Sequence, residues 1–280
     1  MTASPAHSAA LDARYQGLRR GLESLGPVVV AFSGGADSAF LSWVARDVLG
    51  AEALCATAVS PSLAPEELTD CRALATEWGL AHVEVATGEL DDPAYARNDG
   101  DRCAHCKSHL MAALAPVAES RGATVVLGVN TDDLGDHRPG QAAAAAGGAR
   151  FPMVEAALSK RDVRTLSRRL GLRTWDKPAA ACLASRLPYG TRVTLGVLSA
   201  VARAESALRA LGFAAVRVRH YGETARVEVP EEDLGRIVAL RSEVVTAVRA
   251  GGYRYVTLDL EGLRSGNLNH ALAATDRGRT

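Results

Sequence analysis

The sequence lacks any apolar run near the roughly 20 residues that a membrane-spanning helix needs. It also lacks a charge excess, because 32 basic and 32 acidic residues give a formal net charge of zero. A protein that mainly contacts a nucleic-acid backbone usually has a basic excess, so we expect no nucleic-acid partner. The first ten residues have neither a basic segment nor an apolar core. We therefore expect no signal peptide, no membrane association and a cytoplasmic location.

Cysteine is scarce, with five among 280 residues. In a reducing compartment these five are not expected to form a disulfide framework, and clustered cysteines favour metal binding or catalysis. Cys103 and Cys106 form a C-x-x-C pair at a predicted helix start, where the pKa of a thiol is lowered, and Cys182 lies far along the chain. Cys55 and Cys71 lie in apolar patterns, and we predict that both are buried small hydrophobic residues.

Three thiolates leave one position of a four-coordinate site open. This number suits a 4Fe–4S cluster with one open iron, held by Cys103, Cys106 and Cys182. It also suits a zinc ion completed by His105 or His109. Thiols that are merely buried or incidental are a third interpretation of the same pattern.

Predicted strands and helices alternate over the first two thirds of the chain. Apolar runs at 28–32, 54–59 and 125–129, with Val83 and Val85 between them, indicate four strands. Apolar residues at spacings of three and four indicate the helices between the strands, and Ser159 is a predicted cap for a helix over 160–170. Such alternation predicts an α/β protein with a parallel sheet and a ligand site at the carboxyl ends of its strands.

The pattern changes after Pro188, Tyr189 and Gly190. A helix (195–211), two short strands (215–220 and 225–229), a helix (231–249) and a strand (253–258) are predicted to follow. We place a boundary near residue 190, between a large domain (1–190) and a small α+β domain (191–270). The small domain is expected to serve substrate binding or oligomerisation.

A glycine-rich loop follows the first predicted strand, in the sequence Ser33-Gly34-Gly35-Ala36-Asp37-Ser38. Glycines let the backbone approach an anion, and the amides at a helix start attract phosphate. Asp37 is placed to hold Mg²⁺, which prefers carboxylate and phosphate oxygens. The loop has no lysine, so it is not a Walker A loop, and its form suits pyrophosphate as leaving group. The predicted ATP ligands here are Ser33, Gly34, Gly35, Asp37 and Ser38.

Three polar residues, Asn130, Asp132 and Asp133, follow the fourth predicted strand at its ligand end. Their amide and carboxylate groups can serve a nucleotide or a metal, although Asx-rich loops also form for reasons of turn geometry alone. We add Asn130 and Asp132 to the candidate ATP-binding residues.

The glycine-rich string resembles the SGGxDS signature of PP-loop ATP pyrophosphatases. Relatives with this signature include asparagine, GMP and NAD synthetases and tRNA-thiolating enzymes. The resemblance implies an adenine nucleotide alpha hydrolase-like domain that uses ATP and Mg²⁺. It also implies adenylylation of a carbonyl oxygen, followed by displacement of AMP by a nucleophile.

Further segments resemble one family within this group, the LarE sulfur transferases, which help to make the nickel-pincer cofactor of lactate racemase. Residues 127–140 are similar to the LGTNADDLGDYRPG segment of that family. Similar segments extend over about residues 27–267 and include 175–178, 181–186, 188–191, 217–222 and 262–266. The resemblance implies that the enzyme adenylylates pyridinium-3,5-biscarboxylic acid mononucleotide and that sulfur then displaces AMP, twice, to give thiocarboxylates.

Members of this family differ in their source of sulfur. Some sacrifice the sulfur of a single cysteine, and others with three cysteines are thought to deliver sulfide from an iron–sulfur cluster. Cys182 matches the sacrificial position, and the presence of Cys103 and Cys106 places this chain in the second group.

The resemblance implies Cys182 and Asp37 as catalytic residues, and we add Ser185 and Arg186 from the Cys182 segment. Arginines are expected to bind the phosphate and carboxylates of the substrate, because a guanidinium fork matches these groups. A solvated strand face is the alternative interpretation of the arginines. Glu205 is a weaker candidate, because it lies on a predicted helix where a solvent-facing charge needs no explanation. The candidate substrate-binding residues are Arg217, Arg219 and Arg264.

Two other functions remain open. A tRNA 2-thiolation enzyme would have an added nucleic-acid domain and a basic face, and the neutral charge and small C-terminal block argue against both. A non-catalytic adenine-nucleotide-binding protein would have little use for Asp37, three placed cysteines and an arginine cluster together. We expect a small-molecule mononucleotide substrate and a homo-oligomer.

Overall fold

The computed structural model describes residues 5–135, 139–178 and 181–264. Motif residues 136–138 and 265–266, and the tail that we expect to fray after residue 269, lie outside the described residues. The chain divides into two compact units, the first formed by Met1–Ser60, Glu66–Glu89 and Cys103–Ala180, and the second by Pro61–Pro65, Leu90–Arg102 and Ala181–Thr280. The second unit begins before the boundary predicted near residue 190 and takes in two short earlier segments.

A four-stranded parallel sheet lies in the first unit. Its strands are β1 (Val28–Ala31), β2 (Ala53–Val59), β3 (Ala81–Ala86) and β4 (Thr124–Leu127). The strand order is β3-β2-β1-β4, and Val29 of β1 pairs with Leu54 on one side and Val125 on the other. The parallel α/β sheet that the sequence predicts is confirmed.

The helices of this part of the chain cover both faces of β1. They are α1 (Pro5–Leu25), α2 (Ala36–Leu49), α3 (Pro65–Trp78), α5 (Arg102–Arg121), α6 (Pro139–Ala146), α7 (Pro152–Glu155) and α8 (Lys160–Arg169). The short helix α4 (Pro93–Ala96) lies between α3 and α5 in sequence and belongs to the second unit. Val28 and Val30 share one apolar cluster with Phe40 of α2, whereas Val29 shares another with Leu114 of α5. Successive strand side chains point to opposite faces, so β1 is buried on both, which explains its continuous apolar run.

The predicted cap of α8 is confirmed and is reciprocal. The Ser159 hydroxyl accepts a hydrogen bond from the Asp162 amide at 3.1 Å, and the Asp162 carboxylate accepts one from the Ser159 amide at 3.0 Å. This capping box fixes the first residue of α8. As shown below, that residue is Lys160, which reaches the glycine-rich loop.

The second unit contains a three-stranded sheet with helices. Its later elements are α9 (Leu195–Ala210), β5 (Arg217–Tyr221), β6 (Thr224–Glu228), α10 (Leu234–Ala239), α11 (Arg241–Ala250) and β7 (Tyr255–Leu258). Strand β6 pairs antiparallel with β5 and parallel with β7.

The single helix predicted over 231–249 is wrong, because the structure has two helices with a break at Leu240, where φ is −94° and ψ is 25°. Ile237 and Val244 are buried on either side of the break. The apolar spacing therefore continues across it, and periodicity alone does not reveal it. Within the described residues, none of the helices is both long enough and apolar enough to cross a bilayer.

Candidate active site

The loop between β1 and α2 takes its shape from Gly34. Its φ is +67°, and a Cβ at this position would lie 2.9 Å from the Cys71 sulfur, so both the conformation and the space require glycine. The Ser33 amide donates to the Ser38 hydroxyl at 3.2 Å, and the two hydroxyl oxygens are 3.0 Å apart. These contacts hold a tight turn at the carboxyl end of β1.

Helix α2 begins after this turn without a side-chain cap. Its N-cap residue is Gly35, with extended backbone angles and no side-chain hydrogen bond to the first amides. Unsatisfied amides and the positive end of the helix dipole favour a bound anion. The geometry fits the predicted phosphate loop.

Strand β4 ends against the same loop because Gly128 has no side chain. A Cβ on Gly128 would lie 2.8 Å from the amide nitrogen of Ser38. Beyond this glycine, the Asn130 side-chain amide donates to Asp37 Oδ1 at 3.4 Å, and Asn130 Oδ1 accepts from the Asp132 amide at 3.0 Å. The structure therefore brings together predicted ATP-binding residues from two separate loops.

Lys160 is a site residue that the sequence analysis missed. Its ammonium group donates to Asp37 Oδ2, and its backbone amide donates to Asp132 Oδ2 at 3.0 Å. The first residue of α8 thus brings to the loop the lysine that the loop itself lacks. One feature of the sequence could have indicated Lys160. A cation in the first turn of a helix is unfavourable with respect to the helix dipole, so a lysine at that position suggests a specific anionic partner.

Lys177 is a second missed residue and contacts the glycine turn. Its ammonium group donates to the Gly34 carbonyl at 3.2 Å, to Glu67 at 2.8 Å and to Asp70 at 2.7 Å. Burial lowers the pKa of Lys177, but hydrogen bonds with Asp70 and Glu67 raise it more, so the net pKa lies above the ordinary value. Lys177 therefore stays charged and ties the loop to α3.

We expect Lys177→Met to destabilise the fold by about 2 kcal/mol, because it leaves the partly buried Glu67 without its cation and leaves Asp70 with Arg173 alone. Urea denaturation at pH 7 measures the change. The matched control is Arg72→Met on α3, which breaks an exposed ion pair with Glu84 and should leave the free energy of unfolding nearly unchanged. Equal losses in the two variants would show that Lys177 is only a surface charge.

Arg186, in the second unit, is buried and held on several sides. Its Nε donates to Glu205 Oε1 at 2.8 Å, and its Nη1 donates to the Ala181 carbonyl at 2.7 Å. Glu205 is fully buried and also accepts from Arg209 at 2.9 Å and from the Val218 amide at 3.0 Å. The interpretation of Glu205 as solvent-facing is therefore wrong. It lies on the inner face of α9, where arginines offset its charge.

Arg219 is also engaged internally. It forms a two-pronged ion pair with the fully buried Glu228, at 3.0 and 2.9 Å, and its Nη1 donates to the Ser185 carbonyl at 2.8 Å. The alternative interpretation, a solvated strand face, does not describe Arg219, whose side chain is 4% exposed.

Arg217 differs from these two arginines. Burial lowers its pKa, and the neighbouring charges of Arg186 and Arg219 lower it further. Its Nη1 donates to the Arg264 carbonyl at 3.1 Å, while the Arg264 side chain pairs with Glu261. The structure thus places Arg186, Arg217 and Arg219 close together, and the repulsion between their charges favours the binding of an anion.

The five cysteines fall into two classes. Cys55 and Cys71 are buried, as predicted, and burial raises the pKa of each thiol to about 11. Cys103 and Cys106 lie near the start of α5, one exposed and one half-buried, and Cys182 is exposed in the second unit. Within the described part of the chain, no three His, Cys, Asp or Glu side chains form a ready metal-binding group. The metal site stays a prediction, and three accessible thiols are ligands suited to iron–sulfur clusters or zinc.

The parallel sheet and the glycine turn at the carboxyl end of β1 define an α/β protein of the PP-loop type. No family model matches the chain. It is 47% identical to the uncharacterized protein slr1717 of Synechocystis, over 94% of this chain and 99% of that protein. It is 39% identical to the pyridinium-3,5-bisthiocarboxylic acid mononucleotide synthase of Lactiplantibacillus plantarum, over 90% of this chain and 92% of that protein. The chain belongs to the family of this synthase, the LarE family.

Proposed function

We propose that the protein is an ATP-dependent sulfur transferase acting on pyridinium-3,5-biscarboxylic acid mononucleotide. It adenylylates a ring carboxylate, releases pyrophosphate, and replaces AMP with sulfur to give a thiocarboxylate, and both carboxylates react in turn. The observation that carries the proposal is the meeting of Asp37, Asn130 and Lys160 at the uncapped start of α2, in a chain of this family. The name of the Lactiplantibacillus relative supports the choice of substrate.

The phosphate loop supplies the first half of this chemistry. A carboxylate is a poor electrophile, and adenylylation gives it a good leaving group. The amides at the start of α2 hold the phosphates of ATP. The Asp37 carboxylate is 20% exposed, and its oxygens are ligands of the kind that Mg²⁺ prefers. A bound Mg²⁺ would offset charge on the phosphates.

Lys160 has a role that follows from its present contact. Its ammonium group neutralises Asp37 in the structure. When the nucleotide binds, we propose that Lys160 turns from Asp37 to a phosphate oxygen, which frees the carboxylate for Mg²⁺. The pair thus keeps the site electrically balanced in both states.

The arginine group of the second unit is proposed to bind the substrate. Arg186 and Arg219 are committed to Glu205 and Glu228, so they shape the group and hold its charge. Arg217, which has a lowered pKa, has the most to gain from an anionic partner. We therefore propose that Arg217 binds a phosphate or carboxylate of the mononucleotide, and that Ser185 and Arg264 lie at the edge of this site.

Sulfur delivery is proposed to depend on Cys103, Cys106 and Cys182. Their accessible thiols suit a 4Fe–4S cluster, which would supply sulfide to the adenylylated carboxylate. Cys103 and Cys106 both lie near the start of α5, so one short segment would supply two of the three ligands.

The test is an assay of pyrophosphate release from ATP and Mg²⁺. We expect release only when pyridinium-3,5-biscarboxylic acid mononucleotide is present, with AMP appearing once sulfide is supplied. Transfer RNA serves as the alternative acceptor. Release that requires transfer RNA would instead assign a tRNA-thiolating activity. ATP binding without release under any condition would assign a non-catalytic nucleotide-binding protein.

A further inference from the structure

An open cleft of about 780 Å³ lies along α8 in the first unit. Its lining is unusually basic for a chain with no net charge. The cationic and aromatic residues that line it are Lys160, Arg161, Arg164, Arg168, Arg169 and Trp175. We call this surface the α8 arginine cleft.

Five cationic side chains and one carboxylate, that of Asp132, line the cleft, so among the described residues positive charge is in excess. Lys160 pairs with Asp37, and Arg169 pairs with Asp12 at 3.0 Å. The remaining three guanidinium groups, of Arg161, Arg164 and Arg168, have no ion pair within residues 5–135, 139–178 and 181–264. Arg168 instead lies over the Trp175 ring, with its guanidinium carbon 5.0 Å from the ring centroid, which orients it without neutralising it.

These charges repel one another along the helix. Residues three and four apart are neighbours on a helix surface, so Arg164 faces Lys160, Arg161 and Arg168 at once. Lys160 and Arg161 also oppose the helix dipole at the N-terminus. The one carboxylate of the first turn, Asp162, is buried in the capping box and does not reach the cleft. A bound polyanion would relieve this repulsion.

The cleft adjoins the phosphate loop at Lys160. Lys160 lines the cleft and also reaches Asp37, and Asp132, another lining residue, accepts a hydrogen bond from the Lys160 amide. The cleft is therefore adjacent to the place from which the loop would release an anion. The reaction proposed above produces one such anion, pyrophosphate.

We propose that the α8 arginine cleft binds inorganic pyrophosphate as it leaves the phosphate loop, an inference that rests on the proposed function. Guanidinium groups match phosphate oxygens with paired hydrogen bonds, and three arginines that form no ion pair with another described residue suit a compact anion of several charges. An RNA backbone is the less favoured ligand, because the basic residues are gathered in one concavity of a neutral chain.

The test is a calorimetric titration of the full chain with pyrophosphate, without ATP and at fixed ionic strength. We expect Arg164→Gln to raise the dissociation constant by roughly tenfold or more, since it removes the central cation. The matched control, Arg150→Gln, removes an exposed arginine that pairs with Glu155 and should leave the affinity unchanged. Urea denaturation of both variants checks that the fold is intact.

The possible results separate this inference from the proposed function. If a folded Arg164→Gln variant binds pyrophosphate with unchanged affinity, the proposed pyrophosphate site is wrong, even if the enzyme releases pyrophosphate from ATP. Arg164-dependent pyrophosphate binding by a chain that never turns over supports the cleft and rejects the proposed function. Tight binding of an RNA oligonucleotide that depends on Arg164 and that pyrophosphate does not displace also overturns the proposal.

Discussion

Asp37→Ala is expected to lower ATP-dependent pyrophosphate release by roughly 100-fold or more, which corresponds to about 2.7 kcal/mol of transition-state stabilisation. Asp37 is the residue at which the glycine turn, Asn130 and Lys160 meet. Its removal takes away the carboxylate placed to hold Mg²⁺ and leaves Lys160 without its partner. Steady-state assays at saturating ATP and Mg²⁺ measure the effect.

A variant on the same helix provides the control for this experiment. Asp47 lies on α2 and forms an ion pair with Arg19 away from the loop. Asp47→Ala removes the same charge from the same helix and should leave pyrophosphate release unchanged. Near-normal release by a folded Asp37→Ala protein would reject the assignment of the loop.

The sheet of the first unit was predictable because its signals are local. Strand β1 is an unbroken apolar run, Ser159 and Asp162 stand at capping-box spacing, and a Gly-Gly pair follows the strand. Each of these signals lies within a few residues of the feature that it predicts. The grouping of Asn130 with Asp37 was also predictable, since both follow neighbouring parallel strands at the same edge.

Lys160 and Lys177 could not be assigned by such reasoning. They contact the loop across sequence separations of 123 and 143 residues, and a single lysine carries no pattern that marks its partner. The membership of segments 61–65 and 90–102 in the second unit was unpredictable for the same reason, because it depends on contacts between residues far apart in sequence. These segments are held by distant hydrogen bonds, such as the one from the Leu183 amide to the Ser62 carbonyl at 2.8 Å.

The burial of Glu205, in contrast, was predictable from the sequence. Glu205 lies at helical spacing between Val201 and Leu208, both fully buried, and therefore on the inner face of α9. A buried carboxylate requires a cation, and the arginine-rich segments nearby in sequence supply it. Applying apolar periodicity to polar residues would have identified this ion pair.

The three exposed or half-exposed cysteines lead to a prediction about turnover. If they hold an iron–sulfur cluster, sulfur comes from supplied sulfide, and the protein survives each cycle unchanged. If Cys182 alone gives up its sulfur, each chain stops after one transfer. The two outcomes differ in product count and in protein mass.

After anaerobic reconstitution with iron and sulfide, we expect several turnovers per chain with no change in intact mass, and complete loss of thiocarboxylate formation in Cys182→Ser. Cys103→Ser and Cys106→Ser should lose bound iron and sulfur transfer together, because each removes a thiolate ligand. The control is Cys55→Ala, which alters a buried thiol whose pKa is raised to about 11 and should keep its iron.

A mass decrease of about 34 Da, the loss of hydrogen sulfide as Cys182 becomes dehydroalanine, would contradict the cluster. So would full activity of the Cys103 and Cys106 variants. Zinc in place of iron, with no sulfide in the active protein, would assign the three cysteines to a structural or Lewis-acid site instead.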